Sequence, residues 1–183
     1  MLVKEGEFCE GGKVIAQIEG SLATLLTGER VALNLAMRLS GIATLTRKYV
    51  EKIEDLPTLF VDTRKTTPGL RILEKYATQV GGAINHRMGL DDAGMIVETE
   101  NLEQVKEALE YQADIIMLDN MKLDMMRQAV EVIRQHNNRV KIEASGNVTL
   151  ETIRAIAETG VDYISSSAPI TQSKWLDLSM KID

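Results

Sequence analysis

Asp114-Ile115-Ile116-Met117-Leu118-Asp119 is the stretch on which the fold turns. Four consecutive apolar residues lie between two carboxylates, too few for a helix and apolar on both faces of a strand. Strands covered on both sides are the rule in parallel sheets. Downstream, a helical pattern runs from Lys122 to about Gln135, and Val140-Lys141-Ile142-Glu143-Ala144-Ser145 reads as the next strand. Thr149 then caps a helix that reaches Thr159 and closes at Gly160, and Val161-Asp162-Tyr163-Ile164-Ser165 is a final strand. Upstream, Gly94-Met95-Ile96-Val97-Glu98 is a strand, followed by a helix capped by Asn101 and running through Leu109. Earlier still, the strand Thr58-Leu59-Phe60-Val61-Asp62 is turned by Pro68-Gly69 into an amphipathic helix from Leu70 to Val80. Gly81-Gly82 ends that helix, and Ala83-Ile84-Asn85 begins a short strand.

Strands separated by helical stretches of ten to fifteen residues make βαβ units and a parallel sheet. A closed eight-stranded barrel usually takes about 250 residues. With 183 residues and six candidate strands, the chain is expected to form an open or incomplete parallel α/β barrel, an open doubly wound sheet being the alternative. No GxGxxG opens a helix and no GxxxxGK[ST] occurs, which argues against the commonest dinucleotide and nucleoside triphosphate cradles.

The first part of the chain differs. Residues 1–28 are short apolar pieces broken by glycines, with Val14 to Gly20 reading as a strand, and form the remnant of a small β-containing sandwich domain. Residues 29–183 form the barrel-like domain. It opens with a helix from Glu29 to about Glu54, on which Val31, Leu35, Leu39 and Ile42 recur at helical spacing and Gly41 is a joint.

Composition bounds the function. Apolar residues make up 44% and charged residues 26%, as in an ordinary globular protein, and the net charge is −6. That charge disfavours nucleic acid and anionic membranes as partners, so local clusters of Arg and Lys mark a site and not a polyanion coat. Cys9 is the one cysteine, so no disulfide framework exists. No apolar run reaches the roughly 18 residues of a membrane span. Lys4, Glu5, Glu7 and Glu10 occupy the place of a signal peptide's apolar core, so an unprocessed cytoplasmic protein is expected.

A parallel α/β sheet puts its strand ends on one rim, and there the chemistry-bearing residues fall. Arg64-Lys65 follows one strand and His86-Arg87 another. Either pair alone also reads as a solvated loop. Together they suit a ligand with several anionic groups, the Arg fork matching carboxylate or phosphate and Lys supplying a compact charge. Glu98 and Asp119 close two later strands. Each would serve as a helix cap, and as neighbours they would hold Mg²⁺ through oxygens and water. Ser145-Gly146-Asn147 and Ser165-Ser166-Ser167 end the last two strands, where barrels of this kind often take phosphate. His136 reads as surface, and Trp175 as a packing anchor.

The chain resembles the quinolinate phosphoribosyltransferase family, the carboxylating nicotinate-nucleotide pyrophosphorylases. The likeness is carried, in order, by Gly28 to Asn34, Leu39 to Thr44, Asp62 to Arg71, Asn85 to Leu90, Met117 to Asn120 and Ile142 to Asn147. The resemblance implies that quinolinate and phosphoribosyl pyrophosphate are converted, with Mg²⁺, into nicotinate mononucleotide, pyrophosphate and CO₂ on the route to NAD. It implies that Arg30, Arg64, His86 and Arg87 grip the dicarboxylate, Arg30 being lent by the other subunit of a homodimer or higher homo-oligomer. Lys65, Glu98 and Asp119 are then the residues nearest the reacting centre, Lys65 in the basic pocket and the two acids on the ribose and metal side. Ser145, Gly146, Ser165, Ser166 and Ser167 match phosphate-binding positions.

Two departures from the family pattern bear on activity. The family's N-terminal domain is represented by its last portion, starting at Met1. After Met95-Ile96 the family continues with a Lys-Asp-Asn-His stretch, a helix and a strand, whereas here Ile96 joins Val97, an absence of roughly thirty residues or one βα unit. The lysine of that stretch faces the substrate in the family. The turn from Ser165 to Pro169 also lacks the glycine and histidine that many members carry. The alternative to the enzyme is accordingly a degenerate homologue that binds phosphorylated ligands or assembles with intact subunits. A third reading is a phosphoribosyltransferase for another pyridine acid.

Overall fold

The computed structural model describes residues 1–87 and 94–182. The sequence motif that continues through Met88, Gly89 and Leu90 lies in part outside them. Five strands form one sheet in the order β1-β5-β4-β3-β2, parallel throughout: β1 Leu59–Val61, β2 Ile96–Thr99, β3 Ile115–Asp119, β4 Lys141–Ser145 and β5 Tyr163–Ser165. The helices are α1 Leu22–Glu51, α2 Arg71–Val80, α3 Leu102–Glu110, α4 Leu123–His136, α5 Ile153–Ala157 and α6 Ala168–Thr171.

Pairing of the first strand with the last is the closure expected of a barrel. The free side of β1 meets a single parallel bridge between Val61 and Ile84. Among the described residues the ring therefore runs from Ile84 through β1, β5, β4 and β3 to β2, and it is open between Ile84 and β2. Ala83 to Asn85 contributes this bridge and not the strand expected, because a ladder needs successive pairs and among the described residues only Ile84 of this segment pairs with β1. The sheet is an open α/β barrel.

Two faces of the sheet have opposite characters. Phe60, Ile116, Leu118, Ile142, Ala144 and Ile164 alternate toward the helices and are buried. Each such large side chain contributes about 1.5–3 kcal/mol. Register puts Leu59, Tyr163, Glu143, Met117 and Glu98 side by side on the other, inner face. Leu59 remains 43% exposed there, as an interior open along one side requires.

Local signals account for most helix boundaries. Asn101 caps α3 by accepting from the Gln104 N–H at 3.0 Å. Helix α1 begins earlier than the apolar periodicity indicates, because the Ser21 hydroxyl accepts from the Thr24 N–H. It runs unbroken through residue 28 and through Gly41. Gly41 is not a joint: a Cβ there would lie 2.1 Å from the Lys174 carbonyl oxygen, so glycine lets the C-terminal segment lie against α1. Trp175 follows in that segment and is 53% exposed, so it is not the buried anchor expected. The capped helix predicted from Thr149 starts at Ile153, since Thr149 and Thr152 spend their hydroxyls on each other's backbone in a turn. Val14 to Gly20 forms no strand, because among the described residues no second strand lies beside it; one backbone bond joins the Leu2 N–H to the Ile15 carbonyl.

Helix α2 inverts the ordinary pattern. An amphipathic helix normally buries its apolar stripe. Here Glu74, Lys75, Ala77 and Thr78 are buried while Ile72 and Tyr76 are exposed. The charged stripe is turned inward because it has partners at the rim.

Candidate active site

The C-terminal ends of β1 and of the Ile84 segment sit side by side, and one carboxylate ties them together. Oδ1 of Asp62, which follows β1, accepts from Lys75 Nζ at 2.5 Å and from the His86 N–H at 2.7 Å. Oδ2 accepts from Thr78 Oγ1 at 3.1 Å and, with the Asn85 amide oriented to donate, from Asn85 Nδ2 at 3.0 Å. Lys75 Nζ also donates to the His86 carbonyl at 2.9 Å. Asp62 and Lys75 are each 1% exposed. The backbone of His86 is thus held at both its N–H and its C=O.

The imidazole is held as well. Its Nδ1 accepts from the Arg87 N–H at 2.9 Å, so the ring proton belongs on Nε2, which lies 3.1 Å from Oε2 of Glu143. Glu143 is in the middle of β4 and points into the barrel interior. Its Oε1 and the Nε of Arg87 are buried polar atoms with no hydrogen-bond partner among the described residues. A buried carboxylate oxygen and a buried guanidinium N–H left unpaired are unusual, and such groups mark places where a ligand can supply the missing partner.

A second clamp shapes the loop after β1. Glu74 is fully buried and accepts from the Thr67 N–H, from Thr67 Oγ1 and from Arg38 Nη2, at 2.8, 2.8 and 2.9 Å. Arg38, on α1, also donates to the Ile170 carbonyl and to Ser173 Oγ. The loop end is pinned, while Arg64 and Lys65 themselves are exposed. Among the described residues their side chains make no hydrogen bond or ion pair, and they follow the strand to which the Ile84 segment before His86-Arg87 is bridged.

Across the sheet, Asp119 ends β3 and its Oδ2 accepts from Asn120 Nδ2 at 2.7 Å. Glu98 is exposed and lies one residue before the end of β2, which Thr99 closes. It pairs in register with Met117, so Glu98 and Asp119 share the inner face of adjacent strands. Among the described residues no group of three or more His, Cys, Asp or Glu side chains could hold a metal ion. Two carboxylates with hard oxygen donors still fit Mg²⁺, which commonly takes one or two protein carboxylates with water and substrate phosphate for the rest. Ser145 ends β4, and the turn after it is built on Gly146 and Asn147, both at positive φ. Asn147 Nδ2 donates to Asn120 Oδ1 at 2.8 Å, so the rims of β3 and β4 are joined. Ser165 ends β5 and is buried, Ser166 Oγ caps the Ala168 N–H at 3.2 Å, and Ser167 precedes α6.

Of the residues expected at the site, Arg64, Lys65, His86, Arg87, Glu98, Asp119, Ser145, Gly146, Ser165, Ser166 and Ser167 all fall at or beside the rim. Arg30 does not. It lies on the first half of α1, exposed, and its nearest charged partner is Glu29 at 3.9 Å. Sequence reasoning missed Arg38, Glu74, Lys75 and Glu143. The signal for Glu143 was a carboxylate at an interior strand position; for Glu74-Lys75 it was a helix whose polar stripe is as continuous as its apolar one.

Comparison with known proteins decides the family. The family model described as "Quinolinate phosphoribosyl transferase, C-terminal domain" matches residues 42–98 and 94–181, and the one described as "Quinolinate phosphoribosyl transferase, N-terminal domain" matches residues 1–40. This chain belongs to the quinolinate phosphoribosyltransferase family. A relative from Synechocystis, named probable nicotinate-nucleotide pyrophosphorylase [carboxylating], is 56% identical over 211 residues, covering 100% of this chain and 72% of the relative. One of the same name from Bacillus subtilis is 42% identical, covering 98% of this chain and 71% of the relative. The crystal structure of NadC from Streptococcus pyogenes superposes with a TM-score of 0.90 at 40% identity, covering 98% of this chain and 72% of that one. A NadC deletion mutant superposes at 0.92.

The match to the quinolinate phosphoribosyltransferases also locates a difference. The Synechocystis alignment spans 211 residues, 28 more than the 183 of this chain. The C-terminal family model is matched in two pieces that meet at residues 94–98. That is the join at Ile96-Val97, next to the opening between Ile84 and β2. The missing residues and the open side of the barrel coincide.

Proposed function

We propose that this chain transfers the phosphoribosyl group of phosphoribosyl pyrophosphate to quinolinate with loss of CO₂, giving nicotinate mononucleotide for NAD synthesis. The observation that carries the reading is the group of cations Arg64, Lys65 and Arg87, with His86 beside Arg87, on two adjacent strand ends within a chain of this family. Two ring carboxylates need that much positive charge, and the planar forks of Arg64 and Arg87 suit them. Glu98 and Asp119 would hold Mg²⁺, which when bound neutralises charge on the pyrophosphate leaving group.

The residues divide the work. Arg64, His86 and Arg87 bind and orient the dicarboxylate, with Lys65 adding charge in the same pocket. As pyrophosphate departs, positive charge grows on the sugar, and the carboxylates of Glu98 and Asp119 stabilise it. Once the ring nitrogen is bonded to the sugar, the electron pair of the breaking C–CO₂ bond stays on the ring carbon beside that cationic nitrogen, nearby cations favour it, and the carbon then takes up a proton from water to give nicotinate mononucleotide. Ser145, Gly146 and the Ser165 to Ser167 turn receive the sugar phosphate.

The working unit in this reading is a homodimer in the cytoplasm. Leu22, Leu26 and Arg30 follow one another at intervals of four on α1 and so share a face, and Leu22 and Leu26 are more than half exposed. Covering that face with a second copy buries the apolar surface and carries Arg30 to a neighbour's rim.

A second reading is favoured by the unmatched residues beside the open side of the barrel: a homologue that binds the substrates without turnover. The assay is formation of nicotinate mononucleotide and CO₂ by the purified chain, with calorimetry on each substrate. Product formation supports the enzyme. Binding of both substrates without product supports the second reading, and failure to bind either overturns both. Arg64→Ala should weaken quinolinate far more than a pyridine monocarboxylate; equal losses would point to a monocarboxylate substrate.

A further inference from the structure

The Asp62–Lys75 pair lies under the rim and is sealed from solvent, yet both partners bond the backbone of one partly exposed residue, His86. We propose that Asp62 and Lys75 are positioning residues for substrate recognition: they lock the His86 backbone from both sides, so that the imidazole stays on Glu143 and Arg87, on the same fixed peptide, presents one geometry to the dicarboxylate. The inference rests on the reading above for its ligand, but its structural half stands without it.

Three observations carry it. First, the Asp62 carboxylate is saturated. Its four hydrogen bonds come from Lys75, His86, Thr78 and Asn85, so three elements converge on one group. Second, the arrangement is an uneconomical way to hold a fold together. A buried ion pair is often matched or exceeded in stability by apolar residues of similar volume. Helix α2 moreover leaves Ile72 74% exposed in order to face Lys75 inward. Third, the locked backbone ends in a defined ring. With Nδ1 accepting from Arg87 N–H and Nε2 directed at Glu143, the imidazole is held at both nitrogens. The side chain of Arg87 continues from the same fixed peptide. A site that must place the Arg87 guanidinium against a dicarboxylate gains from having that geometry set before the ligand arrives.

The test uses the two histidines, His86 and His136, the second exposed at the end of α4 and serving as an internal reference. In the intact chain labelled with ¹⁵N in the imidazole rings, His86 should give the signals of a single Nε2–H tautomer. The double variant Asp62→Asn with Lys75→Met removes both charges while keeping similar shapes. It should shift His86 to averaged tautomer signals and leave His136 unchanged. Quinolinate affinity should fall at least tenfold, while phosphoribosyl pyrophosphate affinity changes less than twofold. Thr78→Val removes one hydrogen bond to Asp62 and no charge. It should move His86 in the same direction, and it decides the matter if the double variant does not fold. An averaged His86 spectrum in the unaltered chain overturns the proposal, as do unchanged His86 signals in a folded variant or equal losses for the two ligands. If the unaltered chain binds neither ligand, the functional reading fails, and the spectra alone still decide whether His86 is locked.

Discussion

Nε2 of His86 lies 3.1 Å from Oε2 of Glu143, a residue 57 positions away on the facing strand β4. This contact spans the inside of the barrel, from the segment bridged to β1 across to β4. It joins the basic rim to the strand on which Ser145 stands two residues further on. The histidine acts as a crosspiece, and the rim on either side is placed by it.

Glu143→Ala should cost about 1 kcal/mol, the penalty for leaving the largely buried His86 Nε2–H without its acceptor. Glu143→Gln retains an acceptor oxygen and should recover most of that loss. Urea denaturation of the three proteins measures it; equal destabilisation by Ala and Gln would show that the contact with His86 is not what matters.

Gly41→Ala should displace the C-terminal segment. The new methyl would sit 2.1 Å from the Lys174 carbonyl, and that segment is held to α1 by the Leu176 N–H to Met37 carbonyl bond at 3.2 Å. A loss of about 1–3 kcal/mol is expected from the overlap, together with faster tryptic cleavage after Lys174. A variant with the original Tm and cleavage rate would contradict the close approach.

Gly146→Ala combines two faults. Its φ of +89° disfavours any L side chain, and the Cβ would lie 2.2 Å from Asn120 Oδ1. The Asn120–Asn147 bond between the rims of β3 and β4 should break. Titration with ribose 5-phosphate should show weakened binding, with a stability loss of about 2 kcal/mol. Unchanged ribose 5-phosphate affinity would remove this turn from the phosphate site.

Asp55 tests the electrostatics of the opposite end of the molecule. Its hydrogen bond from Arg154 holds the carboxyl below the ordinary aspartate range. A group whose folded-state pKa is depressed stabilises the fold above its unfolded pKa, and that stabilisation is lost as pH falls through the folded value. Asp55→Asn should therefore flatten the loss of stability on the acid side, below about pH 4, while leaving the neutral-pH dependence unaltered. Parallel acid-side slopes for the two proteins would show the pair makes no net contribution.

How much could be seen before the fold was known depends on the range of the interaction involved. Strand β3, the Asn101 cap and the succession of βα units follow from period, propensity and local capping, which act within a few residues, and they emerge where expected. The resemblance carried the family and the rim residues, because its motifs are short and consecutive. Glu74 and Lys75 were legible only as the polar side of a helix. Which stripe of α2 turns inward is settled by partners on α1, in the segment after β1 and at His86, between 7 and 36 residues away. Glu143 is the same case: a strand's alternation places it on one face, but only the curl of the sheet makes that face an interior and brings His86 to it. Side-chain period and hydrogen bonding between near neighbours are written along the chain. The direction in which a charged group is buried is not, because its desolvation is offset by groups that meet it only once the sheet has curved.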